Sequence, residues 1–205
     1  QLERIDILHI HDPDEHYAQA LDEAFPTLAR LKEQGHIRAL GAGMNQWEML
    51  ARFARQADFD CFLLAGRYTL LDQSALPELL PLCLERSISI ILGGPYNSGI
   101  LATGSAGGGH YNYQEVPPEI LEKTRRIEAV CSRHGVPLKA AALQFPLAHA
   151  AVAAVIPGAR SAVEVDENLA LLRHPIPASF WQELRQEGLL AEGAPVPSGE
   201  PSSAP

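Results

Sequence analysis

Short runs rich in β-branched and other apolar residues alternate with longer, helix-patterned stretches, and this alternation restricts the fold more than any other feature of the chain. Ile5 to His11 reads as a strand and Tyr17 to Glu33 as an amphipathic helix. Ile37 to Ala42 then pairs with a helix from about Trp47 to Gln56, and Cys61 to Ala65 with one from about Ala75 to Glu85. A fourth strand, Ser87 to Leu92, runs into a glycine-rich excursion, GGPYNSGILATGSAGGGHYNY, ahead of helices near Pro118 to His134 and Leu138 to Ala148. The fifth strand, Ala151 to Ile156, ends in IPGAR and leads into a helix from about Ala162 to Leu172. Successive βα units with hydrophobic strands predict an α/β domain built on a parallel sheet.

Two architectures share this pattern, an open doubly wound sheet and a closed (β/α)8 TIM barrel. The open sheet's dinucleotide fingerprint ties a strand directly to a helix through GxGxxG, whereas Gly104 to Gly109 lies inside a loop. A barrel needs eight strands and about 250 residues. On the barrel reading, five strands would make this chain the C-terminal part of the barrel, about strands 4 to 8, with roughly three βα units expected ahead of Gln1. An arc of that size has two unpaired edges, so the isolated polypeptide is expected to be poorly stable. Residues 1–190 are assigned to the barrel portion, and the Pro/Ser/Gly-rich residues 191–205 to a disordered tail.

Acidic residues outnumber basic ones 25 to 16, giving a formal charge of −9, and Lys and Arg are scattered, which argues against nucleic acid as a partner. No apolar run approaches the roughly 20 residues that span a bilayer. The opening residues, QLERIDILHIHDPD, have neither a basic start nor a small-residue cleavage site. Cys61, Cys83 and Cys131 lack CxxC spacing and sit in apolar contexts, as expected of reduced, packed thiols in a cytoplasmic protein without membrane attachment.

Strand alternation places Ile5, Ile7, His9 and His11 on one face and Asp6, Leu8 and Ile10 on the other. His11 falls at the strand's C-terminal end, the active face of a barrel, where an imidazole can donate a hydrogen bond to a substrate oxygen as charge builds on it. His9 lies deeper and reads as a satisfied core histidine. A metal site from these histidines with His16 or Asp12 has no second ligand cluster downstream, so no metal is expected.

The segment IDILHIHDPD resembles the fourth-strand signature of the aldo-keto reductases. HIRALGAGMN, GRYTLLDQ, GGPYNSGILA and VIPGARSAVEVDEN follow in family order, to about Leu190. HIRALGAGMNQWEML and LLAGRYTLLDQ are most similar to the branch that includes D-threo-aldose 1-dehydrogenase (L-fucose dehydrogenase) and pyridoxal 4-dehydrogenase. The resemblance implies hydride transfer between a nicotinamide cofactor and a small sugar or alcohol, without metal or flavin. It favours C1 of an L-fucose-like aldose, with pyridoxal oxidation or general carbonyl reduction as alternatives. A non-catalytic nucleotide-binding half-barrel is the reading from a different class.

Carried over residue by residue, the resemblance gives His11 the histidine of the catalytic tetrad. The tetrad's tyrosine, lysine and aspartate belong to the first three βα units. None of Tyr17, Tyr68, Tyr96, Tyr111 and Tyr113 matches, and Lys32, Lys123 and Lys139 read as surface helix residues. Gly43-Met44-Asn45 stands where the family shows Ser-Asn, which makes Asn45 the candidate for the nicotinamide carboxamide, with helix capping as its ordinary alternative. The family's glutamine after the next strand is Ala65 here, and its nicotinamide-stacking aromatic is Gly93, with Tyr96 the candidate substitute. Ser98 and its neighbouring glycines would let N–H groups and a hydroxyl approach the pyrophosphate.

The stretch from Gly158 to Asn168 resembles the family's adenosine site. Gly158, Arg160 and Ser161 would meet ribose or phosphate, and Glu167 and Asn168 would hold adenine. Glu164 occupies the place of a 2′-phosphate-binding arginine. A carboxylate there predicts NAD, with NADP left as the alternative through Arg160 and a solvated helix-face charge as the plainer reading of Glu164. His110, Tyr111 and Tyr113 follow a flexible glycine run and form either a substrate lid or a cover for the barrel mouth.

Overall fold

A computed structural model describes residues 3–198. Five parallel strands, β1 (Ile5–His11), β2 (Ile37–Met44), β3 (Cys61–Ala65), β4 (Ser89–Gly93) and β5 (Val152–Ile156), lie side by side in chain order. A doubly wound sheet reverses its strand order at the switch point. Here the order never reverses, so the sheet is an arc of barrel wall.

The register decides what each face carries. His11, Gly43, Leu63, Ile91 and Ala154 form one cross-strand row, and His9, Gly41, Cys61 and Ser89 the row beneath it. This concave face is open, with Ile5, Ile7 and Ile156 exposed at 42%, 43% and 51%. On the opposite face Leu40, Ala42, Met44, Phe62, Leu64, Ile90 and Leu92 are buried under the helices and form the core. A Cβ on Gly41 would collide with the His9 ring, so glycine in β2 makes room for the histidine column of β1.

The helix expected over Tyr17 to Glu33 is present but broken in register. A 3-10 turn at Asp14–His16 precedes α1 (Tyr17–Gln19), a π segment at Ala20–Ala24 and α2 (Phe25–Glu33). Pro26, at the start of α2, has no N–H for the Asp22 carbonyl, and the ladder steps to an i−5 bond from Phe25 to Ala20. α3 (Trp47–Gln56) matches expectation. α4 (Leu79–Glu85) begins later than Ala75, because Pro77 disfavours helical backbone at Leu76. Ser87, at φ 56, delays β4 to Ser89.

The glycine-rich excursion contains a single short helix, α5 (Ile100–Thr103). α6 (Pro118–His134) stops at left-handed Gly135, and α7 (Leu138–Leu147) and α8 (Ala162–Leu172) follow. α9 (Ala178–Gln186) was not anticipated, although Phe180, Trp181 and Leu184 recur at helical spacing after Pro177 and are fully buried.

Within residues 191–198, expected to belong to a disordered tail, Ala194 is buried and residues 195–197 are partly so, while 191–193 and 198 are exposed. Ala194 is fully buried, its carbonyl accepts from the Arg185 guanidinium at 2.6 Å, and the Ala191 N–H donates to Gln73 Oε1 at 3.0 Å. Small residues and a fixed proline path let this stretch lie along α9. The rest of the assigned tail, 199–205, lies outside the described residues.

The lysines read as surface residues are tethers. Lys32 Nζ donates to both oxygens of Asp60, at 2.5 and 2.7 Å, and Asp60 accepts from the Leu40 N–H. Lys123 reaches the Leu71 carbonyl at 3.1 Å, with burial lowering its pKa, and Lys139 pairs with Glu167 at 2.8 Å. All three cysteines are buried free thiols, and burial pushes Cys61 up to about 11 and Cys83 and Cys131 to about 12.

Candidate functional site

β1 delivers His11 to the C-terminal rim of the concave face, opposite Gly43. Asp12, at φ 44, turns the chain while its N–H donates to the Gly43 carbonyl at 2.9 Å. The His11 side chain is 78% exposed, with Nε2 3.7 Å from Asp12 Oδ2. Its imidazole can therefore meet a ligand oxygen on the concave side. His9, one row deeper, has its pKa lowered by burial, but its buried Nδ1 has no partner among the described residues, so it is not the satisfied core histidine expected.

Asn45 follows β2 and is exposed. The N-cap of α3 is Gln46, whose amide donates to Asp14 at 3.1 Å, so Asn45 does not cap. Ala65 ends β3 in register with Gly93 and brings no polar group to the rim.

The loop after β4 is held in unusual backbone. Asn97, Ser98 and Gly99 have φ of 46, 57 and 107, three left-handed residues in succession. Ser98 Oγ accepts from the Tyr113 N–H at 3.1 Å, while the Ser98 N–H has no acceptor among the described residues. Tyr96 is 8% exposed and its hydroxyl donates to Asn168 Oδ1 at 2.6 Å. Two expected cofactor residues thus hold each other, and Tyr96, tethered to α8, is not a free aromatic plane for a nicotinamide ring.

His110 bridges to Gly99, and Tyr111 and Gln114 exchange backbone bonds of 3.1 and 3.0 Å to form a small hairpin. Asn112 Oδ1 accepts from Arg67 at 3.3 Å, and the Tyr111 hydroxyl reaches Asp72 at 3.5 Å. The hairpin lies across the loops that follow β3 and β4, with Tyr113 86% exposed at its tip.

At the start of α8, Ser161 Oγ accepts from the Glu164 N–H at 3.2 Å, and Glu164 Oε2 accepts from the Arg160 N–H at 2.7 Å. The second Glu164 oxygen lies 3.5 Å from the Arg160 guanidinium. This reciprocal arrangement is a helix cap, and the Arg160 backbone bond holds the carboxyl below its usual range. Glu164 is thus neither a free ribose acceptor nor an idle surface charge. Gly158 is exposed with open space around it, Glu167 faces Lys139, and Asn168 is buried against Tyr96.

Two features of these loops remain unengaged among the described residues. Left-handed backbone bares the unused Ser98 N–H, and the N-terminus of α8 opens beside Gly158. Sequence reasoning passed over Asn97, whose side chain is 3% exposed and donates to the Gly66 carbonyl at 3.1 Å. The PYNSG stretch reads locally as a turn, and nothing in it points to a partner in another loop.

A parallel arc in barrel order, with polar loops converging on the strands' C-terminal rim, defines part of a (β/α) barrel. The chain belongs to the aldo/keto reductase family, which matches residues 1–187. It is 40% identical to pyridoxal 4-dehydrogenase of Microbacterium luteolum over 197 residues, 91% of this chain and 58% of that protein. It is also 40% identical to D-threo-aldose 1-dehydrogenase of a Pseudomonas species over 191 residues, 92% of this chain and 58% of that one. The chain therefore spans 58% of the length of these relatives. The holo form of aldo-keto reductase AKR11C1 from Bacillus halodurans has the same fold, with a TM-score of 0.74 at 24% identity over 97% of this chain and 64% of that one.

Proposed function

We propose that the protein is a nicotinamide-dependent oxidoreductase acting on a small sugar or alcohol, with C1 of an L-fucose-like aldose as substrate and NAD preferred. The observation that carries this reading is His11, exposed on the concave face at the strand's C-terminal end, in a chain 40% identical to two dehydrogenases. The nicotinamide, when bound, supplies C4 as the site that takes or gives the hydride. His11 donates a hydrogen bond to the substrate oxygen and steadies the charge that changes there. Asn45 offers its exposed amide to the carboxamide, and Ser98 its N–H to the pyrophosphate.

Gly158, Arg160, Ser161, Glu167 and Asn168 line the adenosine end, with Tyr96 supporting Asn168. Glu164 bears on cofactor choice even as a cap, because its carboxylate lies 3.5 Å from the Arg160 guanidinium and sets a negative charge where the resemblance puts a 2′-phosphate. Pyridoxal oxidation is the second reading, supported by equal identity to pyridoxal 4-dehydrogenase. The buried, unreactive thiols suit a cytoplasmic protein.

An assay of the full-length protein with L-fucose, D-arabinose and pyridoxal, each with NAD and with NADP, tests the proposal. Sugar oxidation faster with NAD supports it, and pyridoxal oxidation alone moves the assignment to the second reading. No turnover with any pair, alongside retained nucleotide binding, would favour the non-catalytic half-barrel.

A further inference from the structure

The loops that follow β3 and β4 are joined through one side chain. Asn97 Nδ2 donates to the Gly66 carbonyl at 3.1 Å, the Gly66 N–H donates to the Gly93 carbonyl at 3.0 Å, and the Asn97 N–H donates to the Gly94 carbonyl at 3.0 Å. Gly66, Gly94 and Asn97 all have left-handed backbone, with φ of 69, 61 and 46. Hydrogen bonds thus knit both rims into a single unit, and Asn97, 3% exposed, sits at its centre.

This arrangement costs stability in two ways. Ser98 holds a conformation that most side chains avoid, Asn97 holds one that Asn tolerates better than most but less freely than glycine, and Asn97 Oδ1 is buried with no partner among the described residues. A glycine at position 97 would relieve both costs and leave the backbone bonds in place. What a glycine could not supply is the fixed spacing between Gly66, next to the end of β3, and Ser98, whose N–H is unused. Costs of this kind persist where a site must be held in one geometry.

We propose that Asn97 is a positioning residue, stapling the β3 and β4 loops so that the rim at Ala65-Gly66 and the donor at Ser98 meet the ring and the phosphate of one nicotinamide nucleotide at a set distance. This rests on the reading that the protein binds NAD. The staple's own bonds run only within and between the β3 and β4 loops, and none reaches Arg160, Ser161 or Glu164 at the start of α8, so it acts first on the nicotinamide half of the cofactor.

Two variants of the full-length protein separate this role from plain structural support. Asn97→Gly keeps the left-handed backbone and removes the staple, while Asn97→Asp keeps the shape but sets a carboxylate against the Gly66 carbonyl. Equilibrium titration with NAD and with 5′-AMP should show NAD binding weakened about five- to tenfold in the glycine variant and further in the aspartate variant. Binding of 5′-AMP should stay within about twofold in both, which also reports that the variants are folded. In turnover, KM for NAD should rise by more than kcat falls. Unchanged NAD affinity in the glycine variant overturns the proposal, and so does an equal loss of NAD and 5′-AMP. If the unaltered protein binds neither nucleotide, the cofactor reading itself fails and takes the staple with it.

Discussion

Under the proposed function, His11 is the side chain on which chemistry at the rim depends most. It reaches the concave face from a strand end and is 78% exposed, one row above His9, for which Gly41 of β2 makes room. If it acts on the reacting oxygen, His11→Ala should lower kcat by about 10²- to 10³-fold while NAD affinity, read by fluorescence titration, stays within about twofold. A large loss of NAD binding would contradict that role. Glu164 leads to a separate expectation. Its depressed pKa means that the cap at α8 is whole above the ordinary carboxylate range and is lost as pH falls through the lowered value. Glu164→Arg should raise the ratio of kcat/KM with NADP to that with NAD by about tenfold or more, and an unchanged ratio would remove Glu164 from cofactor choice. Both residues were identifiable as candidates from the sequence because each belongs to a short contiguous segment. Asn97 was not, because its partner Gly66 lies 31 positions away and only the fold brings them together.

At the scale of elements, α6 and α9 are clasped by charge over an aromatic floor. His134 Nε2 meets Glu183 at 2.5 Å, Arg133 meets the same carboxylate at 2.6 Å, and the His134 ring lies edge-on to Phe180 at 5.8 Å. The His134 bond, followed by Arg133, holds the Glu183 carboxyl below its usual range. A depressed acid stabilises the fold above its unfolded pKa and ceases to do so as pH falls through the folded one. Hydrogen exchange in α9 should therefore quicken below the ordinary carboxylate range, and Glu183→Gln should abolish that acid-side change. A variant with the same pH response would place the clasp elsewhere. The five strands and most helices followed from β-branched runs and helical spacing. The departures trace to particular residues, namely Pro26 for the π segment, Pro77 for the late start of α4 and left-handed Ser87 for the late start of β4. Composition did not show the burial of Ala194, because that depends on its contact with Arg185 of α9, which only the fold brings about.

Across the whole molecule, strand order carries the architecture. Periodicity left the open sheet and the barrel both available, and the uninterrupted sequence β1 to β5 decides between them. Under the proposed function, the C-terminal rim of the concave face, where His11 and the loop-borne donors converge, is the place for a cofactor and a small substrate. The central claim is that the protein passes a hydride directly from substrate carbon to nicotinamide. Its most direct test uses the full-length protein with NAD and L-fucose deuterated at C1, with mass spectrometry and proton NMR of the reduced cofactor. The account predicts deuterium at C4 of the dihydronicotinamide, and reduced cofactor formed without that label would contradict it.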